Sequence, residues 1–264
     1  MSALSIALIE KTGHDHGFEH IASISGGVVV LASARHPIRL SVAYEPPLGL
    51  RVSIERASQA LWRELMRSMG DRVLDNACLM LSGEAELANV MQRVADLGRA
   101  LPNQAEADYQ AMVDAELGEL PSSVRGTEVE RLIRQRVGQT RFRSAMLDYW
   151  GGACAVTGVT IPAVLRASHA KPWAECESDA ERLNVFNGFL LSANLDALFD
   201  RFLITFNDDG LMLYSPVLST ETLASLGLSD LMQIRWLTEQ HRPFLDYHRS
   251  RCRSSWLASI GRAD

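Results

Sequence analysis

Short apolar runs predict a β-rich start to the chain. Between residues 6 and 44, clusters of glycine, histidine and proline separate four runs that favour strands, at 6–9, 21–25, 27–31 and 40–44. Further along, apolar residues recur at every third or fourth position over 54–69 and 84–101. This spacing predicts two amphipathic helices that pack against the strands.

The second half is predicted to open with helices and to continue with short strands. Thr127 and Glu130 fit a capping box that starts one helix, and Thr140 is predicted to cap a second, which Gly151 and Gly152 end. The remaining predicted elements are a β-hairpin over 153–169, a short helix over 194–199, strands over 203–206 and 211–214, and a helix over 236–251 interrupted near Pro243.

Length and charge suggest two parts. The chain has 264 residues and a formal charge of -6. Residues 1–122 carry 10 Lys and Arg against 16 Asp and Glu, whereas the remainder is neutral overall and includes an arginine-rich stretch that begins at 125. We therefore expect an α+β domain of unknown type at 1–110 for target recognition or dimerisation, an acidic linker at 111–122, and a second domain at 123–255. A polybasic coat for nucleic acid is excluded, but a local basic surface is not.

Several functional classes lack their signals. No apolar run approaches the roughly 18 residues of a membrane span, and the N-terminus does not look like a signal peptide, so we expect a cytoplasmic protein with no membrane partner. The four cysteines form no C-x-x-C pair, which argues against a structural zinc site. No phosphate-binding glycine motif is present, so no nucleotide cofactor is expected.

The most informative stretch is 154–206. His169 follows an apolar run that predicts a strand, Asn187 precedes a glycine, and Asn194 stands at the start of a predicted helix. Neutral histidine is a suitable base for activating water near neutral pH, and hard oxygen donors suit Mg²⁺ or Mn²⁺. Taken singly, these residues would be a structural histidine, a turn and a helix cap.

Three motifs in this stretch resemble the HNH nuclease family, in the branch that bacterial restriction-type proteins carry. The motifs are ASHAKPW at 167–173, NGFLL at 187–191 and NLDALFD at 194–200. The upstream segments GQTRFR at 138–143 and CAVTG at 154–158, and the distal His248 and Arg249, also resemble that branch. The resemblance covers roughly residues 125–250 and implies a ββα-metal nuclease domain.

The resemblance also implies roles for individual residues. His169 is the expected general base, Asn187 orients that base and fixes its loop, and Asn194 is the expected ligand of Mg²⁺ or Mn²⁺. Many relatives carry an aspartate where this chain has Ser168, so Ser168 is a weak second ligand. Asp196 and Asp200 are nearby alternatives for that ligand.

The expected partner is DNA, and the expected reaction is metal-dependent hydrolysis of its phosphodiester bonds in a restriction or defence role. One such site cuts one strand, so a double-strand cut suggests a homodimer or two events. The alternative is a regulatory or nucleic-acid-binding protein on an inactive HNH scaffold. The expected phosphate-binding residues are Arg141, Arg143, Arg166, Lys171 and Arg201.

Overall fold

A computed structural model describes residues 2–69, 73–75, 78–119, 126–229 and 231–260. The chain divides into two compact units, residues 1–104 and 105–264. The α-helices are α1 Ala3–Asp15, α2 Gln59–Met69, α3 Glu84–Ala100, α4 Pro102–Glu119, α5 Thr127–Trp150, α6 Asp179–Leu183, α7 Ala193–Asp200, α8 Thr220–Ser225 and α9 Arg242–Ile260. The strands are β1 His20–Ser25, β2 Val28–Ala32, β3 Arg39–Glu45, β4 Gly49–Glu55, β5 Val73–Asp75, β6 Cys78–Leu81, β7 Leu165–His169, β8 Gly188–Ser192, β9 Ile204–Phe206 and β10 Met212–Tyr214. Short 3-10 helices span Pro162–Val164, Trp173–Glu175 and Glu239–His241. The α+β expectation is therefore confirmed.

The first unit is an antiparallel sheet packed with helices. Among its described residues, six strands follow the order β1-β2-β3-β4-β6-β5. Buried residues alternate along β2 and β3, where Val29, Leu31, Leu40 and Val42 are fully enclosed. This period of two places one face of the sheet in the core. Helices α1 and α2 both contact α3, and α1 also contacts β2.

Two predicted elements of the first unit differ from the structure. The run 6–9, predicted as a strand, lies inside α1, where the buried positions Ile9, Thr12 and Gly13 follow helical spacing. A short apolar run has no period of its own, and the Ser2 hydroxyl caps this helix by accepting from the Ser5 amide. The helix predicted over 54–69 starts only at Gln59, because Ile54 belongs to β4, which was not predicted.

The second unit surrounds two small antiparallel strand pairs with helices. Strand β7 pairs with β8 from Leu165 opposite Ser192 to His169 opposite Gly188, and β9 pairs with β10. Helix α7 follows β8 directly and contacts both strands of the first pair, and α5 contacts the same two strands. The predicted helix at 194–199 and the strands near 203–206 and 211–214 are confirmed.

Helix α5 runs from Thr127 to Trp150 and is capped by Gly151 in a left-handed conformation, so the helix end predicted at Gly151 and Gly152 is confirmed. The capping box does not form, because its cap position is Gly126 and Glu130 instead pairs with an arginine one turn later. No second helix starts at Thr140, because its hydroxyl donates to the carbonyl of Arg136 and the helix continues through it.

The local hairpin predicted over 153–169 is also wrong. Only Leu165–His169 is a strand in this stretch, and its partner is the distant β8. The closing helix begins at Arg242, so Pro243 lies in its first turn and does not interrupt it.

The segment predicted as an acidic linker contains part of α4. This helix extends to Glu119. Tyr109 and Val113 are buried, whereas most side chains of 111–119 are exposed, so the stretch is helical and largely solvated; residues 120–122 lie outside the described part. The predicted domain boundaries near 110 and 123 otherwise remain predictions. In the described residues, no helix is both long enough and apolar enough to cross a membrane.

Candidate nuclease site

The strand pair and the helix after it bring the three motifs together. The backbones of β7 and β8 approach so closely at Gly188 that a Cβ there would lie 2.0 Å from the carbonyl oxygen of Ser168. Only glycine fits this position. The Asn-Gly pair of the second motif therefore sets the register that places His169 at the end of β7, opposite Gly188.

His169 lies in a cleft of about 530 Å³ and is held from two sides. Its ring stacks on Phe142, with 3.7 Å between centroids, and its Nε2 lies 2.8 Å from the carbonyl oxygen of Arg182. Because a carbonyl only accepts, Nε2 carries the proton and Nδ1 keeps the lone pair. Burial lowers the pKa of His169 to about 4, so the imidazole is neutral at neutral pH.

Asn187 is fully buried and fixes the loop that follows His169. Its Oδ1 accepts from the amide of Lys171 at 2.8 Å, and its Nδ2 donates to the carbonyls of Lys171 and Glu181 and to the sulfur of Cys176. Glu181 precedes Arg182, whose carbonyl holds His169. Asn187 therefore acts on the base through the loop and is a positioning residue.

Two carboxylates face the same cleft as His169. Asp196 and Asp200 are four residues apart on α7, a spacing that puts them on one face of the helix. Partial burial and the negative charge of Asp196 raise the pKa of Asp200 to about 6. The lining residues are Gln139, Phe142, Arg143, Arg166, Ala167, His169, Pro172, Trp173, Asp196, Asp200, Phe202 and His248.

Asn194 and Ser168 do not line this cleft. Asn194 is exposed in the first turn of α7, and its Oδ1 accepts from the hydroxyl of Ser192 at 2.7 Å. Ser168 is buried, and its hydroxyl donates to Asp196 at 2.6 Å. The structure thus brings together His169, Asp196 and Asp200 and leaves Asn194, the residue expected to bind metal, outside the cleft.

Of the five residues expected to bind phosphate, two line the cleft, two form ion pairs elsewhere, and the fifth is exposed outside the cleft. Arg143 and Arg166 line the cleft, and both donate to the carbonyl of Leu165. Arg141 is buried against Asp108 at 2.5 Å, and Lys171 pairs with Glu181 at 2.8 Å. These two side chains hold the fold.

Arg201 caps the end of α7 and is exposed, but it does not line the cleft. Of the five expected residues, the cleft therefore contains only Arg143 and Arg166.

The donor set fits a divalent cation that is partly held by its substrate. Within the described ranges, no group of three or more His, Cys, Asp and Glu could hold a metal by itself. Asp196 and Asp200 form no ion pair with Lys or Arg in that part of the chain, and partial burial together with the charge of Asp196 raises the pKa of Asp200. Mg²⁺ is commonly bound by one or two carboxylates together with phosphate oxygens and water.

The geometry defines a class of site. Two antiparallel strands lead straight into a helix, with a histidine at the end of the first strand and acidic side chains on the helix. This is the ββα arrangement of metal-dependent nucleases. Residues 154–207 match the family model described as HNH endonuclease, and the three elements fall within that span. This segment therefore belongs to the HNH family, as the motifs indicated.

No curated protein is similar enough to the chain to count as a match.

The sequence reasoning missed two contacts of the histidine. Phe142 stacks on the ring, and the carbonyl of Arg182 orients it. Phe142 could have been found, because it continues a helical stripe from Gly138 on α5. The carbonyl of Arg182 had no sequence signal, since any residue supplies a carbonyl.

Proposed function

We propose that the protein is a divalent-metal-dependent endonuclease that hydrolyses phosphodiester bonds of DNA. The observation that carries the proposal is the shared cleft of His169, Asp196 and Asp200, inside a segment that matches HNH endonucleases. The alternative of an inactive scaffold is not favoured, since this cleft retains a neutral imidazole and two carboxylates.

His169 is the proposed general base. Its Nε2–H is fixed by the carbonyl of Arg182, so the lone pair on Nδ1 is free to take a proton from the attacking water. The burial that lowers the pKa of His169 keeps it neutral before substrate binds. An anionic phosphate in the cleft favours the protonated form and strengthens the base when it is needed.

Asp196 and Asp200 would hold the cation, with Ser168 orienting Asp196 through its hydroxyl. Mg²⁺ or Mn²⁺, when bound, supplies positive charge to the scissile phosphate and the leaving oxygen. Arg143 and Arg166 lie on the lining of the same cleft, where they attract the flanking phosphates.

A plasmid-nicking assay tests the proposal. The wild-type protein is expected to nick supercoiled DNA in Mg²⁺ or Mn²⁺ and to stop on addition of EDTA. His169→Ala should lower the rate by about 10²–10⁴-fold, the usual worth of a general base. His14→Ala, an exposed histidine of α1, serves as the matched control and should keep the wild-type rate. Equal rates for the two variants would remove the assignment.

Two neighbouring positions on α7 identify the metal ligand. Asp196→Asn should abolish nicking and weaken Mn²⁺ binding in calorimetry, because it removes a charged oxygen donor from the cleft. Asn194→Ala should leave both nearly unchanged, because Asn194 lies outside the cleft lining. If Asn194→Ala abolished nicking and weakened Mn²⁺ binding while Asp196→Asn left both unchanged, Asn194 would be the metal ligand.

The proposed biological role is restriction of foreign DNA, and the support for it is the resemblance of three motifs to the restriction-type branch. Phage should form fewer plaques on cells that express the wild-type protein than on cells that express His169→Ala.

We also propose a homodimer for double-strand cleavage. Sedimentation of the protein on a cleaved duplex should then show two copies, whereas a single copy would contradict the dimer.

A further inference from the structure

A second cleft lies next to the catalytic one in the same unit. Its volume is about 390 Å³, and Trp173 belongs to the lining of both clefts. The lining carries three guanidinium groups and one carboxylate, and two glutamates outside the lining pair with two of the guanidinium groups. Its residues are Tyr109, Arg131, Arg134, Gln135, Trp173, Ala174, Asp179 and Arg182. We refer to it as the arginine cleft.

One face of α5 connects the two clefts. Arg131, Arg134 and Gln135 follow the i, i+3, i+4 spacing of a helical stripe and line the arginine cleft. One turn later the stripe reaches Gly138, where Trp173 packs so closely that a Cβ would lie 2.1 Å from its ring. Another turn later it reaches Phe142, which stacks on His169. At 1.5 Å per residue, Arg134 and Phe142 are about 12 Å apart along the axis.

The arginines at the open side of this cleft are held weakly. Arg131 pairs with Glu128 at 2.7 Å, but both side chains are more than half exposed. Arg134 pairs with Glu130 at 3.0 Å, and these two are about a third to a half exposed. Exposed pairs of this kind contribute little to stability, so a phosphate can replace the glutamates.

Arg182 plays a different part in the arginine cleft. It pairs with Asp179 at 2.9 Å and donates to the carbonyls of Trp173 and Cys176, so it builds the wall. Its own carbonyl holds His169. The wall of the arginine cleft and the orientation of the base therefore depend on one residue.

We propose that the arginine cleft is a second phosphate-binding site, which binds the backbone of the strand whose phosphodiester bond is cleaved in the neighbouring cleft. The separation of about 12 Å along α5 corresponds to a few phosphates of a DNA strand. Arg131 and Arg134 contact the phosphates, and Trp173 separates this site from the catalytic one. The proposal rests on the proposed nuclease function and adds the path of its substrate.

Binding of a fluorescein-labelled DNA duplex, measured by anisotropy in EDTA, tests this site without cleavage. The variant Arg131→Ala/Arg134→Ala should bind about tenfold or more weakly, with a salt slope smaller by about two. The matched control is Arg136→Ala/Arg253→Ala, which removes the same charge from two exposed arginines outside both clefts; Arg136 also lies on α5 and also pairs with a glutamate. The control should lose less than about threefold.

Equal losses of DNA affinity in the two double variants would contradict the proposed phosphate-binding role of the arginine cleft but would not contradict the nuclease function. A wild-type protein that binds no DNA at all would overturn both. If the double variant does not fold, judged by circular dichroism, Arg131→Ala alone decides, because its side chain is mostly exposed.

A scan of single methylphosphonate linkages places the site on the strand. One neutral linkage, a few positions from the cleaved bond, should weaken binding to the wild-type protein. The same linkage should cause no further loss in Arg131→Ala/Arg134→Ala, because its contact is already gone. A penalty that persists in the double variant would contradict the proposal.

Discussion

At the scale of single residues, the carboxylates of α7 set the electrostatics of the cleft that contains His169. Asp196 is held by the hydroxyl of Ser168, and its charge helps to raise the pKa of Asp200 to about 6. The folded protein therefore binds a proton at Asp200 more tightly than the unfolded chain, in which the pKa is near its ordinary value of 3.8. Ionised Asp200 destabilises the fold above about pH 6, and this cost disappears as the pH falls toward 4.

Asp200→Asn should therefore stabilise the metal-free protein at pH 7.5. After allowance for solvent screening, the gain is about 1 kcal/mol, or about 2–4 °C in melting temperature. The gain should shrink as the pH is lowered from 6 toward 4, and the stabilisation by added Mn²⁺ should be smaller than in the wild type. Asp209→Asn, in an exposed turn, is the control for loss of one charge. A lower melting temperature for Asp200→Asn in EDTA would contradict this account.

At the scale of elements, α5 is the support that the site depends on. Gly138 allows Trp173 to lie against the helix, and Phe142 one turn later stacks on His169. Both contacts lie on the stripe that also lines the two clefts. A side chain at position 138 would therefore displace Trp173, which forms the wall between the clefts and packs edge-on against the His169 ring.

Gly138→Ala is expected to destabilise the protein by about 1–3 kcal/mol, because the added methyl group overlaps the Trp173 ring. The rate of plasmid nicking by Gly138→Ala should fall together with its stability. Gly118→Ala, in α4, is the matched control, since a Cβ there meets nothing within 4 Å. It should raise stability by up to about 1 kcal/mol through the better helix propensity of alanine. Thermal melts should show a lower melting temperature for Gly138→Ala and a higher one for Gly118→Ala than for the wild type.

Adding Trp173→Leu to Gly138→Ala should recover part of the lost stability, since a smaller side chain leaves room for the methyl group. If the double variant were no more stable than Gly138→Ala, the overlap with Trp173 would not be the cause.

At the scale of the whole molecule, the chain forms two units that meet in sequence between Gln104 and Ala105. The nuclease site lies entirely in the second unit. Helix α4 contributes to that unit through buried Tyr109 and Val113 and through the pair of Asp108 with buried Arg141. The second unit therefore needs residues that the sequence pattern assigned to the first domain and the linker.

A fragment of residues 105–264 should fold and retain metal-dependent nicking, whereas a fragment of residues 123–264 should be severely destabilised. The shorter fragment lacks α4, so the apolar surface that buried Tyr109 and Val113 cover becomes exposed and Arg141 loses its partner Asp108. Circular dichroism melts and plasmid nicking of both fragments check this. Similar melting temperatures would show that α4 is dispensable and would favour the boundary predicted near 123.

Local patterns predicted the parts of the fold that depend on neighbouring residues. Helix α3, strands β1 to β3 and the start of α7 each follow from their own spacing of apolar residues. The roles of His169 as a base and of Asn187 in fixing its loop were implied by the resemblance of three motifs to HNH nucleases, and the structure shows that Asn187 holds that loop. Elements whose partners are distant in sequence were missed, such as the pairing of β7 with β8 in place of a local hairpin.

The sequence by itself determined that this protein carries an HNH nuclease domain with His169 as its expected base, because motif order and spacing are properties of the chain. The tertiary structure decided which oxygen donors face that histidine. Asn194, Asp196 and Asp200 stand within seven residues of one another, and all three can bind a cation by chemistry alone. Only the rotation of α7 against β7 and β8 turns the two aspartates into the cleft and leaves the asparagine in solvent.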